Sequence, residues 1–161
     1  MTSVDVGALA EHMLHRVEEE WVYDVLKSCD IAFISEANAR RVFPGLKPIE
    51  VLDKMLQCGV KIAVLTSGKR GCMVVNGGRL SKVKAFSVDV VDTTGAGDAF
   101  EAGFLYSIIK GISPADAAVI GNAVAALKCT KLGAQTGLPT IREVVEFLDQ
   151  RGFSDIVSLL A

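Results

Sequence analysis

Two short apolar runs constrain this chain more than any other feature. Asp30-Ile31-Ala32-Phe33-Ile34 and Val60 to Leu65 have the length of buried strands, and segments with helical spacing bracket them. Val6 to Lys27 places Leu9, Met13, Val17, Trp21 and Leu26 near one helical face. Glu36 to Val42 fits a helical turn or two, closed by Phe43-Pro44-Gly45. Pro48 then stands where a first helical turn tolerates proline, opening Ile49 to Gln57, and Gly59 stops that helix. Strands alternating with helices predict an α/β layered domain with a substantially parallel sheet.

The remainder adds an antiparallel piece. Cys72-Met73-Val74-Val75 and Arg79 to Ala85 flank Asn76-Gly77-Gly78, and Asn-Gly between extended runs is a strong hairpin signal. Phe86–Val91 also reads as a strand. Helices follow from about Gly97 to Lys110 and from Pro114 to Cys129. A last helix begins near Pro139-Thr140 and turns Val144, Val145 and Leu148 inward. Residues 1–161 suit a single domain with a real core, without internal repeats.

Half of the residues are apolar and the mean hydropathy is positive, high for a chain of 161 residues. No stretch reaches the roughly 18 uninterrupted apolar residues of a membrane span. Glu101 and Asn122 interrupt the two longest runs. The start lacks the basic-then-apolar profile of a secretory signal, so a cytoplasmic protein without membrane partner is expected. Seventeen basic and nineteen acidic residues give a net charge of -2 with no basic block, which argues against nucleic acid. Cys29, Cys58, Cys72 and Cys129 form no Cys-x-x-Cys pair and read as reduced, mostly buried thiols. His12 and His15 share a helical face, but no third ligand stands nearby, so a solvated face is the better reading.

One segment concentrates chemistry. Asp92-Thr93-Thr94-Gly95-Ala96-Gly97-Asp98-Ala99-Phe100 sets two glycines between two aspartates just before a long helix. Glycines let backbone N–H groups approach a bound group closely. The helix start leaves N–H groups without intrahelical acceptors and carries partial positive charge. Together these suit an anion, above all a phosphoryl group. Asp98 beside that anion is unfavourable by charge alone. It makes sense as a general base, taking a proton from a hydroxyl that attacks phosphorus. The same residues also suit a plain helix cap, with Asp92, Thr93 or Thr94 as cap and the glycines as turn. The segment alone leaves both readings open.

The common nucleotide fingerprints are absent. Gly95-Ala96-Gly97 lacks the third glycine of the dinucleotide pattern, where Phe100 stands. Gly68-Lys69 is followed by arginine, and Ala63 occupies the first glycine position of a P-loop. No protein-kinase His-Arg-Asp loop occurs.

The Asp92–Phe100 segment followed by a long helix resembles the C-terminal signature of the ribokinase-like (PfkB) carbohydrate kinase family. Val64-Leu65-Thr66-Ser67-Gly68-Lys69-Arg70-Gly71 is similar to that family's Thr-x-Gly-x-x-Gly turn. Asn122 matches a polar residue near the adenine. Lys131-Leu132-Gly133-Ala134-Gln135 with Gly137-Leu138-Pro139 resembles its closing cation and nucleotide loop. The resemblance is most specific from about Asp30 to Pro139.

The resemblance implies a partial ribokinase-like fold and an ATP-dependent phosphotransferase acting on a small sugar or nucleoside. Asp98 would deprotonate the acceptor, and the N–H groups of Gly95, Ala96 and Gly97 would hold the transferring phosphoryl. Thr66, Gly68 and Gly71 would line the nucleotide's phosphates and ribose, and Asn122 its base. Asp92, Thr94 and Gly133 would serve a monovalent cation, potassium in this family, and magnesium would arrive with ATP.

Two departures qualify this. Where the family places Asn-x-x-Glu, this chain has Ser35-Glu36-Ala37-Asn38, which removes a carboxylate from the magnesium shell. The resemblance also covers only the C-terminal half of the family, without the sugar pocket and lid. A fragment, a truncated product, a split enzyme with a complementary N-terminal half, or a homo-oligomer is therefore expected, with an apolar face and a sheet edge open to the partner. A non-catalytic nucleotide-binding or interaction module derived from such a kinase is the competing reading.

Overall fold

The structure is a computed structural model, and it describes residues 1–7 and 19–160. His12, His15 and half of the first expected helix lie outside the described residues. The elements in chain order are β1 (Ser3–Asp5), α1 (Glu19–Lys27), β2 (Ile31–Ser35), α2 (Glu36–Val42), α3 (Pro48–Gln57) and β3 (Ile62–Thr66). A 3-10 turn (Gly68–Arg70) leads to β4 (Cys72–Asn76) and β5 (Arg79–Val83). The rest is helical: α4 (Ala96–Ile109), α5 (Pro114–Cys129), α6 (Ile141–Asp149) and α7 (Ser154–Leu160). This is the expected α/β architecture.

The chain forms two compact units. The first comprises Met1–Gly68 and Cys72–Lys82, and the second Lys69–Gly71 and Val83–Ala161. Five strands lie in the order β1-β2-β3-β4-β5. β1, β2 and β3 are parallel, and β4 runs antiparallel to β3. Ile31 to Ile34 and Ala63 to Leu65 are all buried, so these strands read as continuous apolar runs instead of alternating ones. Ala32, Ile34, Ala63, Leu65 and Val75 pack with Leu26, Val51, Leu52 and Met55 from the helices of the same unit.

The Asn-Gly signal is confirmed as a two-residue hairpin between β4 and β5. Gly77 and Gly78 have φ of 55° and 77°, and a type I′ turn needs positive φ at both central positions. β1 was not anticipated, because three residues carry too little pattern to separate them from the helix expected to begin at Val6. α7 was likewise missed.

The strand expected at Phe86–Val91 is not one. Its backbone forms no ladder, and the N–H groups of Val91 and Asp92 donate to the carbonyl of Cys129 at 2.8 and 3.2 Å. Phe86 sits edge-on to Phe147 and Phe153, with ring centroids 5.2 and 5.4 Å apart. Its apolar residues thus serve a helical core, where strand-like composition needs no strand.

That second core combines Ile120, Ala123, Val144, Phe147, Leu148, Ile156 and Leu160. α4 and α5 approach closely through glycine. A Cβ built on Gly103 would lie 2.7 Å from Val124 Cγ2, and one on Gly121 would lie 2.8 Å from the Phe100 carbonyl oxygen. Among the described residues, no helix is long and apolar enough to cross a membrane, and none of the four cysteines forms a disulfide.

Candidate active site

The start of α4 differs from the other capped helices. α2, α5 and α6 are capped by Ser35, Ser113 and Thr140, whose hydroxyls accept from the N–H three residues on. α4 begins instead at Gly95, in the left-handed conformation (φ 77°, ψ 10°), with no side-chain cap. Glycine is required there twice over: by positive φ, and because a Cβ would come within 3.0 Å of Ala134 Cβ. The plain capping role open for Asp92, Thr93 and Thr94 is therefore not what the structure adopts.

Two N–H groups of this turn are occupied. Ala96 donates to the Thr93 carbonyl at 3.0 Å, and Ala99 to the Gly95 carbonyl at 2.9 Å. That takes Ala96 away from the anion role expected of it. Gly97 and Asp98 follow in the same first turn, where helix N–H groups lack intrahelical acceptors. Gly97 has negative φ, and a Cβ placed on it would meet nothing within 4 Å. Asp98 is exposed in the same first turn. The exposed first turn thus sets main-chain amides beside a carboxylate.

Behind it, Asp92 holds the loop together. Its Oδ1 accepts from Thr94 N–H at 2.9 Å and its Oδ2 from Gly133 N–H at 2.8 Å. The Nζ of Lys128 donates to the Asp92 carbonyl oxygen at 2.6 Å and lies 3.8 Å from Oδ2. Lys128 is fully buried at the last turn of α5, where a cation also meets the negative end of the helix dipole. Gly133 has φ of 90°, and Thr136 bonds back to the Leu132 carbonyl at 2.7 Å to close the loop. Lys128 escaped the sequence reading. Its one signal is a lysine directly after the apolar run Ala117–Leu127.

These residues do not fit a potassium ion as arranged. Gly133 offers Asp92 an N–H where a cation needs an oxygen, and the Lys128 ammonium already stands 3.8 Å from Oδ2. A second cation would have to share that carboxylate with a buried ammonium. Among the described residues there is also no group of three or more histidine, cysteine, aspartate or glutamate side chains suited to a metal.

The remaining expected residues divide between the two units. Asn122 is buried in α5, and its Nδ2 donates to the Lys84 carbonyl at 3.2 Å and approaches that of Val83 at 3.5 Å. Gly71 has φ of 93°, and a Cβ there would fall 1.9 Å from the Val83 carbonyl oxygen. Both therefore secure the segment that follows β5. Thr66 and Gly68 belong to the first unit. Thr66 pairs in register with Ser35 at the carboxyl ends of the parallel strands β2 and β3, the edge where open α/β sheets take ligands. Ser35 accepts from Asn38 N–H at 3.1 Å, so the departure at these positions is used as a helix cap. Asn38 also packs on Gly7, where a Cβ would clash with its amide.

Three carboxylates lie well below their ordinary range, at about 2. Asp30 is lowered from 3.8 mainly by the Lys61 hydrogen bond and then by Thr2 N–H. Asp92 is lowered from 3.8 by Thr94 N–H, then by the Thr94 hydroxyl and Gly133 N–H. Glu143 is lowered from 4.5 by Thr140 N–H and then by Lys131. A depressed carboxylate stabilises the fold above its unfolded value, and that contribution disappears as pH falls through the folded one. Stability is therefore expected to hold down to roughly pH 4.5 and to fall toward pH 2. Circular dichroism melts across that window check this. The Asp92→Asn/Glu143→Gln double variant should show a shallower decline, and an unchanged slope would place the acid sensitivity elsewhere.

Comparison with known proteins identifies the family of the chain. Residues 16–141 match the pfkB family of carbohydrate kinases, and the chain belongs to that family. It is 38% identical over 130 residues to an ATP-dependent 6-phosphofructokinase of Thermoanaerobacterium thermosaccharolyticum, covering 81% of this chain and 40% of that enzyme. The crystal structure of a Thermotoga maritima ribokinase superposes with a TM-score of 0.77 at 30% identity, over 91% of this chain and 48% of the ribokinase. A double mutant of Vibrio cholerae O395 fructokinase, bound to fructose, ADP and potassium, gives 0.72 at 27% identity, over 81% of this chain and 44% of the other. The chain thus spans less than half the length of these relatives.

Proposed function

We propose that the chain carries the catalytic half of an ATP-dependent sugar or nucleoside kinase, acting in the cytoplasm. The observation that carries this reading is the start of α4 at Gly95 without a side-chain cap, with Gly97 and Asp98 exposed in its first turn. In this reading the amides and the positive end of α4 hold the γ-phosphoryl. Asp98 removes the proton from the acceptor hydroxyl as its oxygen attacks phosphorus. The oxygen bridging to the β-phosphate leaves with its electron pair on ADP. Thr66 and Gly68 serve the nucleotide from the end of β3. Magnesium, where bound, would accompany the phosphates and neutralise their charge.

Gly97 separates function from folding. It needs neither positive φ nor space, so Gly97→Ala is expected to leave stability unchanged or raise it by up to ~1 kcal/mol. A methyl group at the phosphoryl's approach should nonetheless reduce transfer at least tenfold. The check is a thermal melt alongside ATP turnover on a panel of sugars and nucleosides. A variant that turns over like the parent would remove these amides from the mechanism.

The Ser35–Asn38 cap favours a second reading, a nucleotide-binding module without transfer activity, because the Ser35 hydroxyl is taken by the Asn38 backbone N–H and position 38 offers no carboxylate. Calorimetry with ATP and magnesium separates the two. Binding without turnover, in the presence of a complementary N-terminal half, supports the module, and no binding counts against both.

A further inference from the structure

We infer that Lys128 supplies from within the chain the positive charge that the family resemblance assigns to potassium beside Asp92, so the Asp92–Asp98 loop keeps its shape without a monovalent cation. A buried ammonium is costly unless hydrogen-bonded and paired, and Lys128 is the only charged residue among the fully buried side chains described. Its partners are both on Asp92: the carbonyl oxygen at 2.6 Å and Oδ2 at 3.8 Å. Asp92 is held at its backbone a second time, since its N–H donates to the Cys129 carbonyl. The carboxylate then passes the restraint outward, through Oδ1 to Thr94 and through Oδ2 to Gly133.

Such a lysine does what a dehydrated potassium ion would do. It gathers a main-chain carbonyl and a carboxylate around one positive charge. It differs in being covalently attached, so its occupancy does not depend on the salt in solution. An ion binding at Asp92 as well would meet like-charge repulsion from the buried Lys128 ammonium. Lys128 is thus a positioning residue, acting on the loop through Asp92.

The test is thermal stability of the chain in potassium, sodium and choline chloride at equal ionic strength. The unaltered chain should melt at the same temperature in all three. Lys128→Met should melt lower in choline and recover saturably in potassium, because the vacated position can then take an ion. Lys128→Arg, which keeps the charge, should remain indifferent to the salt. A saturable, potassium-specific rise in the unaltered chain would overturn the inference, and so would a Lys128→Met variant indifferent to all three salts. Should that variant fail to fold, hydrogen exchange of the Thr94–Asp98 amides in the unaltered chain decides. Equal protection in potassium and choline supports the internal cation, and potassium-specific protection overturns it. Neither readout uses phosphoryl transfer, so an inactive chain leaves the inference fully testable.

Discussion

Asp98→Ala is expected to lower ATP-dependent phosphorylation of the acceptor by ~10²–10⁴-fold, the usual contribution of a positioned general base. The side chain is exposed in the first turn of α4, so its removal leaves no cavity. The fold should lose only the modest help an acidic group gives a helix start, about 0.3–1 kcal/mol. Nucleotide affinity should be kept or rise slightly, because the substitution removes a negative charge beside the phosphates. Turnover and ATP calorimetry on the same preparations therefore separate catalysis from binding. If the variant retained full turnover, the acceptor's proton would have to leave by another route.

Phe104→Ala is expected to destabilise the chain by roughly 3–5 kcal/mol. Phe104 is fully buried in α4, and its ring stacks on that of Phe100 at 6.0 Å and 25°. Truncation removes apolar burial and leaves a cavity that the close α4–α5 packing cannot collapse into. Urea unfolding should show a lower midpoint at nearly constant slope. A loss below about 1 kcal/mol would mean the helices repack freely, and α4 would then be a poor platform for its own first turn.

The sequence made the elements with strong local signals readable. β2, β3, the hairpin, α4 and α5 all follow from apolar runs, Asn-Gly, and proline at a helix start. β1 was hidden because its three residues gain strand character only by pairing with Ile31 to Phe33. Phe86–Val91 misled for the converse reason, since aromatic and β-branched residues serve a helical core as well as a strand.

The glycine turn opening a helix was legible in the loop, but its internal wiring was not. That Ala96 N–H turns back to Thr93, and that Gly71 and Asn122 brace the segment after β5, depends on contacts between residues distant in the chain. Lys128 is the clearest instance. A lysine closing an apolar helix looks like an ordinary favourable helix end, and only its complete burial against Asp92 reveals another use.

The two glycines at the α4–α5 crossing carry a consequence for how this site could change over time. One of these helices presents Asp98 at its beginning, and the other presents Lys128 at its end. Because Gly103 and Gly121 leave no room for even a methyl group, a bulkier residue at either would wedge the pair apart and pull Asp98 out of step with the aspartate clamp. This seam therefore has almost no tolerance for a larger side chain.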